Sequence, residues 1–210
     1  MAVNGLTLKW IMMTLIDTIT AQLSDRLQKQ DRVSIALSGG SSPVALYQSL
    51  SQKDLEWARV DVTLIDDRDV PPDHPDSNQK LIAETLLQHL ASQANFIPLQ
   101  DWPNDQIPDI GVLGMGTDGH FASLFPAMLD DAMAFDAKAE PCVMTTPPMG
   151  NPLHPRVTMN LAMILAIPDR VLMVIGEEKK SVLQQAENGQ DLPITRLLAH
   201  QGTNVTHEKI

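Results

Sequence analysis

The sequence predicts an α/β protein built on a doubly wound, mostly parallel sheet. Three observations carry that expectation. Short runs rich in Val, Ile and Leu ("RVSIALS", "RVDVTLID", "PDIGVLG" and "DRVLMVIG") recur between longer polar stretches with helical patterning. The runs are continuous and do not alternate with polar residues, which suits strands covered by helices on both faces. Each run ends at Gly, Ser or Asp, and in open α/β sheets ligands bind beyond the carboxyl ends of the strands.

The elements follow in chain order. "LKWIMMTLI" (8–16) runs into "DTITAQLSDRLQKQ" (17–30) as one amphipathic helix over about 10–29. Its apolar part is too short to span a bilayer and has no small-residue cleavage pattern, so it reads as neither a membrane span nor a secretory signal. Strand 32–38 feeds a helix over 43–50, with Pro43 in its first turn. Strand 59–66 leads through a proline-stiffened loop to "PDSN", a helix start, and a helix over 76–90. Strand 108–114 follows. The stretch 127–155, rich in Pro, Met and Asp, then interrupts the rhythm as a lid or an edge insertion. Strand 169–176 and helices over 178–187 and 193–199 complete the pattern.

At 210 residues the chain suits a single domain over 1–210, or one domain with a small appended layer, and no internal repeat stands out. The formal net charge of -11 argues against nucleic acid as a partner, because phosphate-backbone binding needs clustered Lys and Arg. It also repels anionic substrates globally, so a phosphate site has to be local, made of backbone N–H groups and one or two cations. Cys142 stands alone, so an intrachain disulfide is excluded and a reducing cytoplasm fits.

Three strand-to-helix junctions hold the chemistry. In "LSGGSSP" (37–43) the glycines let backbone approach a ligand, and Ser41 and Ser42 add hydroxyls where a helix begins. The motif reads as a phosphate cradle or as a serine-capped turn. It lacks the Walker lysine and the dinucleotide spacing, so ATP and NAD are not suggested. "LIDDRDVPPDHPDSN" (64–78) places Asp66, Asp67 and Arg68 directly after a strand. Carboxylates there can accept sugar hydroxyls or move protons, and a solvated acidic loop is the plain alternative.

"GMGTDGHFASLFP" (114–126) puts Asp118 and His120 among three glycines. Its N–H groups can converge on an oxyanion while the histidine takes a proton from water and the carboxylate fixes its tautomer. The alternative is a capping aspartate and a packed histidine. Further on, "HPRVTMNLAMI" supplies Arg156, and "IGEEKKSVLQQA" puts Lys179 and Lys180 in the first turn of a helix, where cations oppose the dipole. Either an external anion or Glu177 and Glu178 compensates them.

Together and in this order, these motifs resemble the lactonase branch of the glucosamine-6-phosphate isomerase/6-phosphogluconolactonase superfamily, over roughly 33–198. The resemblance implies a Rossmann-like (NagB/RpiA-like) fold with helices on both faces, no metal and no cofactor. It implies hydrolysis of 6-phospho-D-glucono-1,5-lactone to 6-phosphogluconate in the oxidative pentose phosphate pathway. Carried over by motif, Gly39, Gly40, Ser41, Ser42, Arg156 and Lys179 meet the phosphate, while Asp66, Arg68, Asp118 and His120 surround the sugar acid. His120 then serves as general base toward water and as acid toward the ring oxygen, Asp118 orients it, and loop N–H groups or Arg68 face the oxyanion.

The sequence departs from the family pattern at Asp67 and Thr117, where glutamate is usual, and at Phe121, where threonine is common. The strand expected before the first helix is short or absent, and "TNVTHEKI" is a weak version of the final strand. A deaminase of the same superfamily is the competing enzyme, but it carries a glutamate after the histidine where this chain reads "FASLFP". A sugar-phosphate sensor that regulates transcription is expected to carry a DNA-binding module, for which the 210 residues leave no room, while a non-catalytic sugar-phosphate-binding module stays as an alternative. The expected partner is the small-molecule substrate, with no membrane, in a cytoplasmic monomer or weak homodimer.

Overall fold

The structure, a computed structural model, describes residues 5–207. Helix α1 (Gly5–Leu27) lays Leu15, Ile19, Leu23 and Leu27 in a buried i, i+4 stripe, the amphipathic face expected of it. The side chains of 8–14, the apolar start of that expectation, lie outside those described, as do the residues before 5 and after 207.

Strand β1 (Val33–Leu37) leads to helix α2 (Val44–Leu50), and β2 (Val60–Leu64) is followed at once by β3 (Asp66–Arg68). Helix α3 (Asn78–Thr85) begins where Ser77 Oγ accepts the amide of Lys80 at 3.2 Å. Strands β4 (Asn95–Phe96) and β5 (Ile110–Gly114) precede the short helix α4 (Ala132–Phe135), which Asp131 caps. Then come β6 (Val143–Met149), β7 (His154–Met159), helix α5 (Leu161–Ala166) and β8 (Asp169–Val174). Helices α6 (Glu177–Glu187) and α7 (Pro193–Leu198) and strand β9 (Thr203–His207) close the described chain.

Six strands form a parallel sheet in the order β4-β2-β1-β5-β8-β9. Successive residues 35–37 and 62–64 are all buried, so both faces of β1 and β2 are covered, as their continuous apolar sequence requires. Helix α1 packs on α2, β1 and β9, and α6 packs on α7 and β8. The order reverses between β1 and β5, and the loops leaving those two strands diverge to leave a crevice beyond their carboxyl ends.

Three expectations are corrected. The run 59–66 is not one strand: β2 stops at Leu64, and Asp66 already belongs to β3, in a second, antiparallel sheet of order β3-β7-β6. Its register sets Asp66 opposite Thr158 and Arg68 opposite Arg156. The helix expected over 76–90 ends at Thr85, because the amides of Leu90 and Ala91 turn aside to the Ser51 carbonyl at the end of α2. Residues 161–166, where the sequence predicts no element, are helical, with Asn160 Oδ1 accepting the Met163 amide at 2.9 Å as N-cap. The weak final strand pairs fully with β8 from Thr203 to His207.

Candidate active site

The first wall of the site is the segment leaving β1. The Ser38 amide bonds the Val112 carbonyl at 2.9 Å, and the buried Tyr47 hydroxyl of α2 donates to the Ser38 carbonyl at 2.6 Å, so the strand end is held from two sides. Burial pushes the Tyr47 phenol well up, which keeps that donor neutral. Gly39 is required by close approach: a Cβ there would sit 1.8 Å from Asn78 Oδ1. The amides of Gly39, Gly40, Ser41 and Ser42 have no acceptor among the described residues. Across from them, Lys179 Nζ lies 3.3 Å from Ser42 Oγ and, among the described residues, has no carboxylate within ion-pair distance. Burial pushes the Lys179 ammonium down, opposed by Glu178. Lys180 instead pairs with Glu177 at 3.0 Å, so the structure separates two lysines between which only the motif resemblance chooses.

The second wall is the antiparallel sheet. Asp66 is 8% exposed, and its Oδ2 accepts the Ser123 hydroxyl at 2.6 Å, while its carbonyl accepts Asn78 Nδ2 at 2.8 Å. Asp67 turns away from the pocket and accepts the amides of Arg68, Asn78 and Gln79 at 2.7, 2.6 and 3.0 Å, holding the start of α3. Burial raises its carboxyl above the ordinary range against the pull of those amides. Arg68 donates through Nη1 to the Asp76 carbonyl and leaves Nε buried without a partner. Arg156, 3% exposed, donates to the carbonyls of Met149 at 3.0 Å and Pro152 at 2.6 Å and lies 5.8 Å from the Phe125 ring centre.

The third wall follows β5. His120 Nδ1 lies 2.5 Å from Asp118 Oδ1, which also accepts the His120 amide at 3.1 Å. A carboxylate only accepts, so the imidazole proton sits on Nδ1 and the lone pair on Nε2. Burial alone would raise the Asp118 carboxyl, but the hydrogen bond and charge of His120 outweigh it and hold it below the usual range. Gly116 makes room for the pair: a Cβ would meet His120 Cε1 at 2.2 Å. The Phe125 ring packs against the imidazole with centres 4.7 Å apart.

The expected convergence of this loop's N–H groups on an oxyanion is corrected in part. The amide of Gly116 already bonds the His120 carbonyl, that of Gly119 bonds the Gly116 carbonyl, and that of His120 bonds Asp118. The loop folds on itself to present two side chains, and those three donors are occupied.

One cavity of about 260 Å³ is lined by Asp66, Arg68, His120, Arg156, Lys179 and residues 39–42. Asp118 stands behind His120 and outside the lining. Ser123, Asn78 and Phe125 also line it and were not singled out from the sequence. Only the coincidence of "PDSN" and "FASLFP" with the other motifs hinted at them, since their partners lie 57, 12 and 5 residues away. The one cluster of three metal-capable side chains among the described residues, His74, Asp76 and His154, lies outside this lining.

The family model for glucosamine-6-phosphate isomerases/6-phosphogluconolactonase matches residues 8–107 and 99–206. The chain is 39% identical to a 6-phosphogluconolactonase of Neisseria meningitidis over 210 residues, covering 91% of this chain and 90% of that protein. It is 36% identical to a 6-phosphogluconolactonase of Rhizobium meliloti, covering 88% and 87%. The crystal structure of a 6-phosphogluconolactonase from Shewanella baltica superposes with a TM-score of 0.80 at 32% identity, covering 94% of this chain and 92% of that one.

Proposed function

The chain belongs to the glucosamine-6-phosphate isomerase/6-phosphogluconolactonase family, and from that premise we propose how its pocket opens 6-phospho-D-glucono-1,5-lactone to 6-phospho-D-gluconate, the lactonase step of the oxidative pentose phosphate pathway. One observation carries the reading: a half-buried Lys179, with no carboxylate within ion-pair distance among the described residues, and four unoccupied amides share a single cavity with His120, which Asp118 backs from outside the lining. An anion-binding region and a proton-transfer pair in one cavity suit a phosphorylated substrate whose reacting carbon lies away from its phosphate.

The phosphate takes the amides of residues 39–42, the hydroxyls of Ser41 and Ser42, and the cations Lys179 and Arg156. Phosphate binding orients the lactone carbonyl, turning a remote contact into alignment at C1. His120 Nε2 removes a proton from water as its oxygen attacks C1. The tetrahedral oxyanion faces Arg68, whose Nε has no protein partner. The bond from C1 to the ring oxygen breaks, and the proton on Nε2 passes to that oxygen, which becomes the C5 hydroxyl. Asp118 holds the Nδ1 proton throughout and stabilises the transient imidazolium. Asp66, held by Ser123, accepts sugar hydroxyls. Among the described residues no imidazole bonds Ser41 or Ser42, which supports water as the nucleophile.

The same reading takes the lactone as the partner and neither nucleic acid nor membrane, in a cytoplasmic monomer or weak homodimer. The net charge of -11 supports it, and among the described residues no helix is long and apolar enough to cross a membrane. We read 1–210 as one domain and 127–155 as an edge insertion, since β6 lies within it and pairs with β7. The test is turnover: lactone hydrolysis well above the spontaneous rate is expected. Ammonia release from glucosamine 6-phosphate, or tight sugar-phosphate binding without turnover of either compound, would overturn the reading.

A further inference from the structure

Three side chains that the hydrolytic mechanism does not use meet where the loop after β3 touches the start of β7. His154 Nε2 lies 2.8 Å from Asp76 Oδ2, and His74 Nδ1 lies 3.8 Å from the same oxygen. One donor atom from each residue lies within 4.8 Å of the other two, and all three residues are partly exposed. The imidazole rings stand edge to face with centres 5.5 Å apart.

We propose that His74, Asp76 and His154 form a binding site for a divalent transition-metal ion of the zinc class, with a fourth position left for water. Two imidazoles and one carboxylate match zinc and its neighbours, whereas magnesium and calcium prefer oxygen ligands throughout. Donors about 2.0–2.1 Å from a tetrahedral ion lie about 3.3 Å from one another. Two of the three separations, 2.8 and 3.8 Å, bracket that spacing, and the third, between the two imidazoles, is within 4.8 Å. Coordination through His74 Nδ1 replaces its hydrogen bond from the Asp76 amide, now 3.1 Å long. Two contiguous segments supply the ligands, and only the tertiary structure joins them: residues 74 and 76 are 78 or more positions from 154.

The site has a defined structural consequence. The Asp76 carbonyl holds Arg68 Nη1, and His154 lies two residues before Arg156, which faces Arg68 across the β3/β7 register. An ion here fastens the proline loop to β7 behind the two arginines that line the cavity.

The test titrates metal-free protein at neutral pH with zinc chloride by calorimetry and with cobalt chloride by visible absorption. One saturable site is expected, with a tetrahedral cobalt band and a melting temperature that rises with zinc. His74→Ala and His154→Gln should each weaken zinc by about tenfold or more and lose the cobalt band. Glutamine keeps a donor toward Asp76, and an unchanged circular dichroism spectrum separates ligand loss from unfolding. His120→Asn should bind zinc as the parent does. Absence of saturable binding in the parent, undiminished binding in the His74→Ala/His154→Gln double variant, or loss of the site in His120→Asn would each overturn the proposal.

Discussion

The two ends of the parallel sheet treat charge in opposite ways. At the amino end the ions are paired: Arg26 bonds Asp109 at 3.1 Å and Asp169 at 2.6 Å, and Arg32 bonds Asp61 at 2.6 Å. Asp109 also accepts the Ser34 amide and hydroxyl, at 2.8 and 2.9 Å. At the carboxyl end, among the described residues, Lys179 has only a serine hydroxyl, Arg68 Nε has no partner, and Arg156 is satisfied by carbonyls, without a carboxylate. Pairing charges at one end serves the fold, and leaving cations uncompensated at the other holds a place for an anion in a protein of net charge -11.

The contrast is sharpest for His120→Asn, which removes the proton carrier and little volume. We expect kcat to fall about 100-fold or more, with a much smaller change in KM and an unchanged melting temperature. Near-normal turnover by the folded variant, after subtraction of spontaneous hydrolysis, would remove His120 from the mechanism. Next come the cations of the carboxyl end. Lys179→Ala should lower kcat/KM on the phosphorylated lactone by roughly one to two decades (about 1.5–3 kcal/mol) and much less on unphosphorylated gluconolactone. Arg156→Ala should show the same preference and also melt earlier, because the Met149 and Pro152 carbonyls lose their donor. Equal losses on both lactones would assign these cations to the fold, and the contrast between the two ends would collapse.

At the amino end the expected effects are on stability alone. Arg26→Ala breaks two partly exposed ion pairs and should cost about 1–2 kcal/mol in denaturant unfolding while leaving kcat/KM unchanged. A change in kinetics would mean that the two ends are coupled. The smallest effect is that of Asp61→Asn. The hydrogen bond from Arg32 chiefly holds the Asp61 carboxyl below the ordinary range, against burial. A depressed folded-state value contributes stability above the unfolded value of about 3.9 and loses it as pH falls through the lower folded one. The variant should therefore cost at most about 1 kcal/mol at pH 7, with Arg32 half exposed, and the difference should shrink through the acidic range beneath that carboxylate value. A penalty that grows on acidification would reverse the sign.

Much of this architecture is local in the chain. The cores of β1, β2, β5 and β8 coincide with their apolar runs because a strand buried on both faces must be apolar throughout. The helix starts at Ser77 and Pro193 follow from caps and first-turn chemistry that act within four residues. The three motif loops could be read for the same reason: glycines beside chemically active residues at strand ends are a short-range pattern. The antiparallel sheet left no such trace. Strand β3 reads "DDR" and β6 reads "VMTTPPM", so neither has the composition of a strand, and both exist through pairing with β7.

What the sequence determined by itself is the parallel scaffold, the loops that leave it and the residue types they carry, since burial pattern, caps and glycine placement act over a few residues. Tertiary structure decided, independently of the motif, which of two adjacent lysines lines the cavity, that Asp67 holds a helix while Asp66 faces the pocket, and that three loop amides after β5 are occupied. It also decided that Arg156 holds a backbone turn as well as lining the site, and that His154 meets His74 and Asp76. Each of these is a hydrogen bond, an ion pair or a close approach whose outcome depends on where a second chain segment lies, and their strength falls off within a few ångströms of that placement.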